Sequence, residues 1–378
     1  MFDWVIVGGG PHGVCAARAL VDGGSTVRIV EPSGRLMDRW SRRAEAVAMT
    51  WMRSPIFHHL DARPVSLDHF LHRPEHADVA SLAGAYMRPT HAAFLRHSHD
   101  VIARYGLKSM VVPGRVSSIV PDGAGLRVEG EGVELACRRV LVATGSNARR
   151  VPAWAARLQA EGAPIEHVFD RSPAPHLDIV GGGISAVQRA IAVQRESGKT
   201  VRLWMRQPFA VADFDYDRNW TRHRFIARWA GLGEAERAAF FLRHPSRGSV
   251  PAGLATRLRK AVKRGSIEVH RCEPTVTWDA DAERLTLEGP SGAVASSGLT
   301  LATGLRPEAL SGWLQDVADA LELPVANGVP RLDDAMHWGR GVYVSGPLAR
   351  MRLGPMASNV IGARWATAKL PGVRMQQS

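Results

Sequence analysis

Cysteine is scarce in this chain of 378 residues. Cys15, Cys137 and Cys272 are isolated and odd in number. That spacing excludes a disulfide framework, a Cys-x-x-Cys redox centre and a thiolate zinc site. Lysine is scarce too, supplying five of the 48 basic residues, while arginine and alanine recur throughout. No apolar run is long enough to span a bilayer, and no low-complexity segment interrupts the chain. The first apolar strand begins almost at Met1, which leaves no room for a signal peptide. With the cysteine pattern, this makes the cytoplasm the expected location.

The formal net charge is +12, a balance that can serve nucleic acid or an anionic membrane. The one dense basic run, Arg257 to Arg264, lies among Leu254, Leu258, Ala261 and Val262 at helical spacing. A solvated helix face explains it better than a nucleic-acid patch, and no aromatic residues interleave it for base stacking. Neither nucleic acid nor membrane is expected as a partner. Attraction for an anionic cofactor is a sufficient use for the charge.

What the chain does have is two glycine-rich turns, 173 positions apart from Gly8 to Gly181. The first reads Val5-Ile6-Val7-Gly8-Gly9-Gly10-Pro11-His12-Gly13. The second reads Ile179-Val180-Gly181-Gly182-Gly183-Ile184-Ser185-Ala186. Each follows a short apolar strand and opens a helix with an apolar stripe, Val14, Ala17, Leu20 and Val21 in one case and Ile184, Val187 and Ile191 in the other. In such a unit the first glycine makes the tight turn, the next lets backbone approach a pyrophosphate, and the third position lets helix and strand pack closely. The free N–H groups of the helix N-terminus complete a phosphate site. Gly8, Gly10 and Gly13 fill these positions in the first turn, and Gly181, Gly183 and Ala186 in the second.

The two units differ at the end of their second strand. Thr26 to Val30 runs into Glu31, 18 residues after Gly13, where an acid holds a ribose 2′-hydroxyl. That favours FAD or NAD over NADP. Thr200 to Met205 runs into Arg206, with no acid beside it in sequence. A guanidinium pairs bidentately with a 2′-phosphate, so NADPH is favoured there. Two further strands end alike, in Ala143-Thr144-Gly145 and Ala302-Thr303-Gly304, and a last strand runs from Gly341 into Gly346. These strand ends resemble those of flavoproteins that bind two dinucleotides, which identifies the first cofactor as FAD.

The fold expected is therefore α/β, with two Rossmann-like dinucleotide-binding domains, one for FAD and one for NADPH, the second inserted in the first. The FAD domain spans 1–150 and 310–378 and the NADPH domain 165–305. Pro152, Pro164, Pro173 and Pro175 mark the first crossing, and Arg306-Pro307 the second.

A substrate-side segment, 45–100, lacks strand signals. It contains Met52-Arg53, then His58-His59-Leu60, then Pro64-Val65-Ser66 and Phe70-Leu71. Here the chain resembles the flavin-dependent N-hydroxylating monooxygenases, the ornithine and lysine N-hydroxylase family. That family carries Met-Gln, four variable residues, Lys-Asp-Leu, and then a Pro-x-Ser…Phe-Leu segment. The resemblance puts Arg53 on the family's glutamine, which lies by the flavin, and His58 on its lysine, which lies by the substrate. His59 falls on its aspartate. Histidine titrates near neutral pH where lysine stays charged. Three further departures are Leu305 for the tyrosine of Ala-Thr-Gly-Tyr, Gly346-Pro347 for the Gly-Asp that meets the ribityl chain, and residues 213–264, which lack the family's usual substrate-binding sequence.

The resemblance implies an NADPH-dependent FAD monooxygenase that activates O2 as a C4a-hydroperoxyflavin and oxygenates a small nucleophilic substrate, with N-hydroxylation of an amine foremost. Arg53 and His58 are the expected catalytic residues. His58, Asp215 and Asn219 are expected at the substrate. Asp215 and Asn219 belong to Phe214-Asp215-Tyr216-Asp217-Arg218-Asn219-Trp220, which reads equally as a site for a cationic amine and as an ordinary polar loop. Besides the turn glycines, Glu31 and Arg206, the cofactor-binding set takes in Trp40 and Met52. It also includes Val116, Gly145, Ser185, Gly304, Gly346 and Gly354. Trp40 is open to a second reading as a core residue.

Histidines crowd the region from His58 to His99, yet Pro74 breaks the helical spacing of His72 and His76, and no carboxylate cluster joins them. No metal is expected. Two rival readings keep the cofactors but change the activity. One is an NAD(P)H-dependent flavoprotein reductase or dehydrogenase without oxygenation. The other is a flavin-binding redox sensor that NADPH reduces negligibly. The expected partners are a small-molecule substrate and O2, and a homo-oligomer is left open.

Overall fold

The computed structural model describes residues 1–146, 148–170, 175–244, 248–306, 310 and 312–374. The strand Phe2–Val7 is the axis of the first sheet. Its last four residues are buried, as a continuous apolar run in a two-sided parallel sheet must be. Val27–Glu31 lies parallel on one side, with Ile6 opposite Ile29. Val133–Val142 lies parallel on the other, with Ile6 opposite Leu141. Outside these run Val111–Pro113 next to Val27–Glu31, and Val342–Val344 next to Val133–Val142. The chain therefore returns to its first sheet near its C-terminus. An antiparallel meander of Arg115–Asp122 and Gly125–Glu131 leads into Val133–Val142.

Helix Pro11–Asp22 follows the first turn. Proline at its first position spends no backbone donor that the helix needs, and Val14, Ala17 and Leu20 face the sheet. Helix Val360–Thr367 packs on its outer side.

The second sheet repeats the plan. Its parallel order is Ile267–His270, Val201–Trp204, Asp178–Val180, Leu299–Leu301 and Ile165–His167. Helix Ile184–Ser197 follows the second turn and buries Ala186, Val187, Ala190 and Val193. Asp178 is fully buried in the central strand. Its carboxylate accepts from Arg202 Nε at 2.7 Å, Arg202 Nη2 at 2.5 Å and Trp204 Nε1 at 3.0 Å, so a costly buried charge is satisfied on both oxygens.

Several expectations shift. The strand expected to end in Ala143-Thr144-Gly145 runs from Val133 to Val142. A three-stranded meander, Thr275–Asp279, Arg284–Gly289 and Gly292–Ser296, has no counterpart in the sequence reading. The segment 45–100 is mostly helix and turn, with one pair of two-residue strands, Leu82–Ala83 and Arg88–Pro89. It has a small core of its own built from Ile56, Leu67, Phe70, Leu71, Val79 and Ala93. The basic run lies on helix Ala252–Lys263, with Ala255 and Leu258 buried and the cationic side chains outward. Pro173 and Pro307 lie outside the described residues. No described helix is long and apolar enough to cross a membrane.

Both turns depend on the same steric fact. Gly8 has φ +114° and Gly181 has φ +151°, and a Cβ on either would overlap the carbonyl oxygen of Ala143 or Ala302 on the neighbouring strand. A Cβ on Gly13 would run into the carbonyl oxygen of Gly8, whereas nothing lies within 4 Å of a Cβ on Gly183. Gly13→Ala is therefore expected to destabilise the fold by about 3 kcal/mol, and Gly183→Ala to leave it within about 0.5 kcal/mol. Urea denaturation of the cofactor-free protein checks both, and equal losses would contradict this packing.

Candidate functional site

The two turns are held by matching hydrogen bonds. Gly8 N–H donates to Val30 O and Gly181 N–H to Trp204 O, each at 2.9 Å. Ala143 N–H donates to Val7 O at 2.9 Å and Ala302 N–H to Val180 O at 2.8 Å. These bonds use up the strand ends and leave the space beyond them free. A Cβ built on Gly10, Gly145, Gly183 or Gly304 meets nothing within 4 Å. Helices Pro11–Asp22 and Ile184–Ser197 have glycine N-caps and no side-chain cap. These helix starts lie beyond the carboxyl ends of parallel strands, where nucleotides bind in such folds. Ser185 stands in the first turn of the second helix.

Glu31 is 7% exposed. Its Oε2 accepts Gly9 N–H at 2.9 Å, and its Oε1 accepts Ser33 Oγ–H at 3.2 Å. The remaining lone pairs suit a ribose hydroxyl and repel a phosphate. Gly114 N–H donates to Glu31 O at 3.4 Å, which brings the strand holding buried Val116 to this end. At the matching place in the second unit, Arg206 is largely exposed. Sequence shows no acid beside it, but Glu273 arrives from elsewhere, with Oε2 at 3.8 Å from Arg206 Nη1. Glu273 also accepts Trp154 Nε1–H at 3.0 Å.

The structure redirects several of the expected site residues. Arg53 is turned toward the loop 212–215. It donates to Asp213 O at 2.9 Å, Ala212 O at 3.2 Å and the Ser249 hydroxyl, and it pairs with Asp215 Oδ1 at 2.8 Å. Asp215 also accepts Ser249 N–H and Oγ–H, each at 3.0 Å. The carboxylate expected to meet a substrate cation and the arginine expected at the flavin face are thus committed to each other. Arg88 makes a second bridge, to Asp213 Oδ1 at 2.9 Å, and lies over the rings of Tyr86 and Phe214. Together the two arginines bolt the 45–100 segment to the second unit. Asn219 donates its N–H to Asp217 Oδ1 at 2.8 Å inside a short turn.

Trp40 packs on His91 and Phe94, with ring centroids 5.2 and 5.0 Å away, as a core residue does. Met52 is buried and donates its N–H to Pro89 O. Gly354 has φ +80° and carries the Trp229 ring, whose nearest atom would stand 3.2 Å from a Cβ there.

His58 departs from the expectation of a group titrating near neutrality. Burial, then the Arg364 guanidinium, pushes its pKa down to about 4. It is neutral at pH 7 and cannot reproduce a lysine charge. Arg364 itself donates to Asp61 O at 2.9 Å and Ala62 O at 3.0 Å. His59 is a fully buried core group. Its Nε2–H donates to Pro64 O at 2.9 Å, and its Nδ1 accepts Asp61 N–H at 3.2 Å. Nearby, Asp61 Oδ2 accepts Ser66 Oγ–H at 2.5 Å and Arg104 Nη2–H at 2.7 Å, and Ser66 Oγ lies 3.0 Å from His97 Nε2. Among the described residues no group of three His, Cys, Asp or Glu could hold a metal ion, and no hydrogen bond joins His58 to Asp215 or Asn219. Sequence reasoning missed Arg88, Arg364 and Trp229, whose partners lie far away in the chain.

The family model described as pyridine nucleotide-disulphide oxidoreductase matches residues 2–225, more than half of the chain. The chain belongs to that family. Its fold is that of ornithine hydroxylase from Pseudomonas aeruginosa in its reduced form, at 19% identity and a TM-score of 0.76, covering 97% of this chain and 98% of that one. The ornithine N-hydroxylase of Kutzneria sp. 744, solved with reduced FAD, NADP+ and L-ornithine, is 18% identical with a TM-score of 0.75, covering 98% of each chain. The FAD-bound cadaverine monooxygenase of Erwinia amylovora is 13% identical with a TM-score of 0.71, covering 100% of this chain and 97% of that one. No curated protein sequence matches the chain.

The buried histidines make stability depend on acid. His58 and His59 are lowered to about 4 and His97 to about 3, burial being the first cause in each. Unfolded, each titrates near 6.5. Their contribution is complete above pH 6.5 and is lost as pH falls toward 4. Urea midpoints are expected to fall from pH 7 to pH 5; equal midpoints would contradict the assignment.

Proposed function

We propose that this protein is an NADPH-dependent FAD monooxygenase that oxygenates a small nucleophilic substrate, foremost by N-hydroxylating a primary amine. The observation that carries this reading is the pair of glycine turns of matching construction, each opening on a cleft, within the fold of the N-hydroxylases. Residues 1–150 and 310–378 form the FAD-binding part, 165–305 the NADPH-binding part, and 45–100 the substrate side. The activity belongs in the cytoplasm.

Each residue has a physical task. The N–H groups around Gly10 and the following helix take the FAD pyrophosphate, and Glu31 takes a ribose hydroxyl. Gly183 and its helix take the NADPH pyrophosphate, and the exposed Arg206 takes the 2′-phosphate, with Glu273 giving way. Bound flavin supplies two-electron chemistry with O2: NADPH is oxidised, one oxygen atom goes to the amine nitrogen and the other leaves as water. The Arg53–Asp215 and Arg88–Asp213 bridges hold the substrate side against the NADPH part. Neutral His58 accepts a hydrogen bond from the amine, which must itself be neutral to attack.

Disulfide exchange, the chemistry in the family's name, lacks its reagent here, because the cysteines carry no paired spacing and Cys15 and Cys137 are buried. The test is aerobic turnover with NADPH over a panel of primary amines, counting hydroxylamine product, peroxide and NADPH used. Product close to one per NADPH with at least one amine is the expected result. Electrons that all appear as peroxide, or that leave oxygen untouched, would replace this reading with a reductase or dehydrogenase.

A further inference from the structure

The first unit carries an acid, Glu31, at the end of its second strand, and the second unit has none at that place in sequence. The fold brings one in from the neighbouring strand. Ile267–His270 lies parallel to Val201–Trp204, with His270 opposite Trp204, so the two strands end at the same edge of the sheet. Just past that edge, Met205 N–H donates to His270 O at 2.9 Å. Arg206 follows one strand end and Glu273 the other, three residues beyond His270.

Glu273 is held in place from two sides. Cys272, before it, packs on the core cluster of Val180, Leu285 and Leu287, and Pro274, after it, is buried. Trp154, from helix Ala153–Ala160, packs on the same cluster and donates its Nε1–H to Glu273 Oε1 at 3.0 Å. That bond orients the carboxylate, whose other oxygen, Oε2, lies 3.8 Å from Arg206 Nη1. Glu273 can swing away only by giving up the indole. The Arg206 side chain is 71% exposed and that of Glu273 43%, so the pair is open to a ligand from solvent.

A carboxylate placed here acts in opposite senses on the two kinds of nicotinamide dinucleotide. A 2′-phosphate that approaches Arg206 must separate it from Glu273 and then lies near a like charge. A 2′-hydroxyl brings no charge, and a carboxylate oxygen can accept its hydrogen bond. We propose that Glu273 is a specificity-determining residue of the second dinucleotide site: held by Trp154, it tempers the preference for a 2′-phosphate that Arg206 would otherwise give in full. The inference rests on the reading of the second site as an NADPH site with Arg206 at the 2′-phosphate. Because both groups are exposed, the effect is modest and is weakened by salt.

The test measures binding of NADP+ and of NAD+ to the FAD-loaded protein by calorimetry, in the wild type, Glu273→Gln and Arg206→Ala. Glutamine keeps an oxygen for Trp154 and removes only the charge. Glu273→Gln is expected to tighten NADP+ about fivefold at low salt, the upper worth of an exposed ion pair, and to leave NAD+ no tighter. In about 1 M NaCl, where the screening length falls to about 3 Å, the gain is expected to fade. Unchanged NADP+ affinity in Glu273→Gln, with NADP+ weakened in Arg206→Ala, would overturn the proposal and leave the reading of the site standing. Equal tightening of both nucleotides, or a gain that salt does not reduce, would also overturn it. Arg206→Ala that binds NADP+ as well as the wild type does would overturn the reading of the site and the proposal with it, and so tells the two failures apart.

Discussion

The contact on which the rest of this molecule depends is the approach of a glycine to the carbonyl of an alanine on the adjacent strand. It occurs twice, at Gly8 against Ala143 and at Gly181 against Ala302. The missing Cβ lets two parallel strands end side by side while the chain turns sharply into a helix. Every other feature of the two clefts follows. The helix starts without a side-chain cap, so its N–H groups are left for a ligand. The next strand closes at Glu31 in the first unit, and in the second it stops at Trp204, two residues before Arg206. The alanines belong to Ala-Thr-Gly strand ends, whose own glycines, Gly145 and Gly304, have room in front of them. Two turns are built on one geometric plan, and an acid, Glu31, follows one while an arginine, Arg206, follows the other.

Electrostatics then joins the parts. The two halves of the chemistry must face each other. Met52, Leu60 and Phe94 seat the 45–100 segment in the core of the first unit. Arg53 and Arg88 then tie it to the second unit by reaching across to Asp213 and Asp215. Arginine suits this task, since its planar fork satisfies several carbonyls and a carboxylate at once. Beside this clamp the site is unusually poor in free charge. His58, His59, His97 and His12 are neutral by burial, and Arg364 is occupied with backbone carbonyls. Neutral imidazoles suit a reaction in which an amine must attack without its proton.

The frame of the molecule was legible in the sequence because its signals are local. A strand, three glycines and a helix stripe fall within about 20 residues in such units, and both turns form where that pattern places them. Glu31 as a strand-end residue was equally readable, whereas the strand expected to run from Thr200 through Met205 covers Val201–Trp204 and stops short of Arg206. What failed to show were interactions between distant segments. Arg53 looked like a site residue because of where it falls in a family pattern, yet its partners lie some 160 positions away. Glu273 meets Arg206 for the same reason. Histidine at position 58 suggested a group ready to titrate, and only burial, which sequence does not give, moves it to about 4. The meander over residues 275–296 went unread although Val276 and Trp278, and Leu285 and Leu287, alternate with polar residues as half-buried strands do.

The central claim is that one chain holds two different dinucleotides so that electrons pass between them. The most direct measurement is anaerobic titration of the FAD-loaded protein with NADPH, and separately with NADH, following the flavin absorbance. One equivalent of NADPH is expected to bleach the flavin, and NADH to do so much more slowly, the preference proposed for Arg206. Flavin that stays oxidised with both nucleotides would contradict that claim, and so would equal rates with the two.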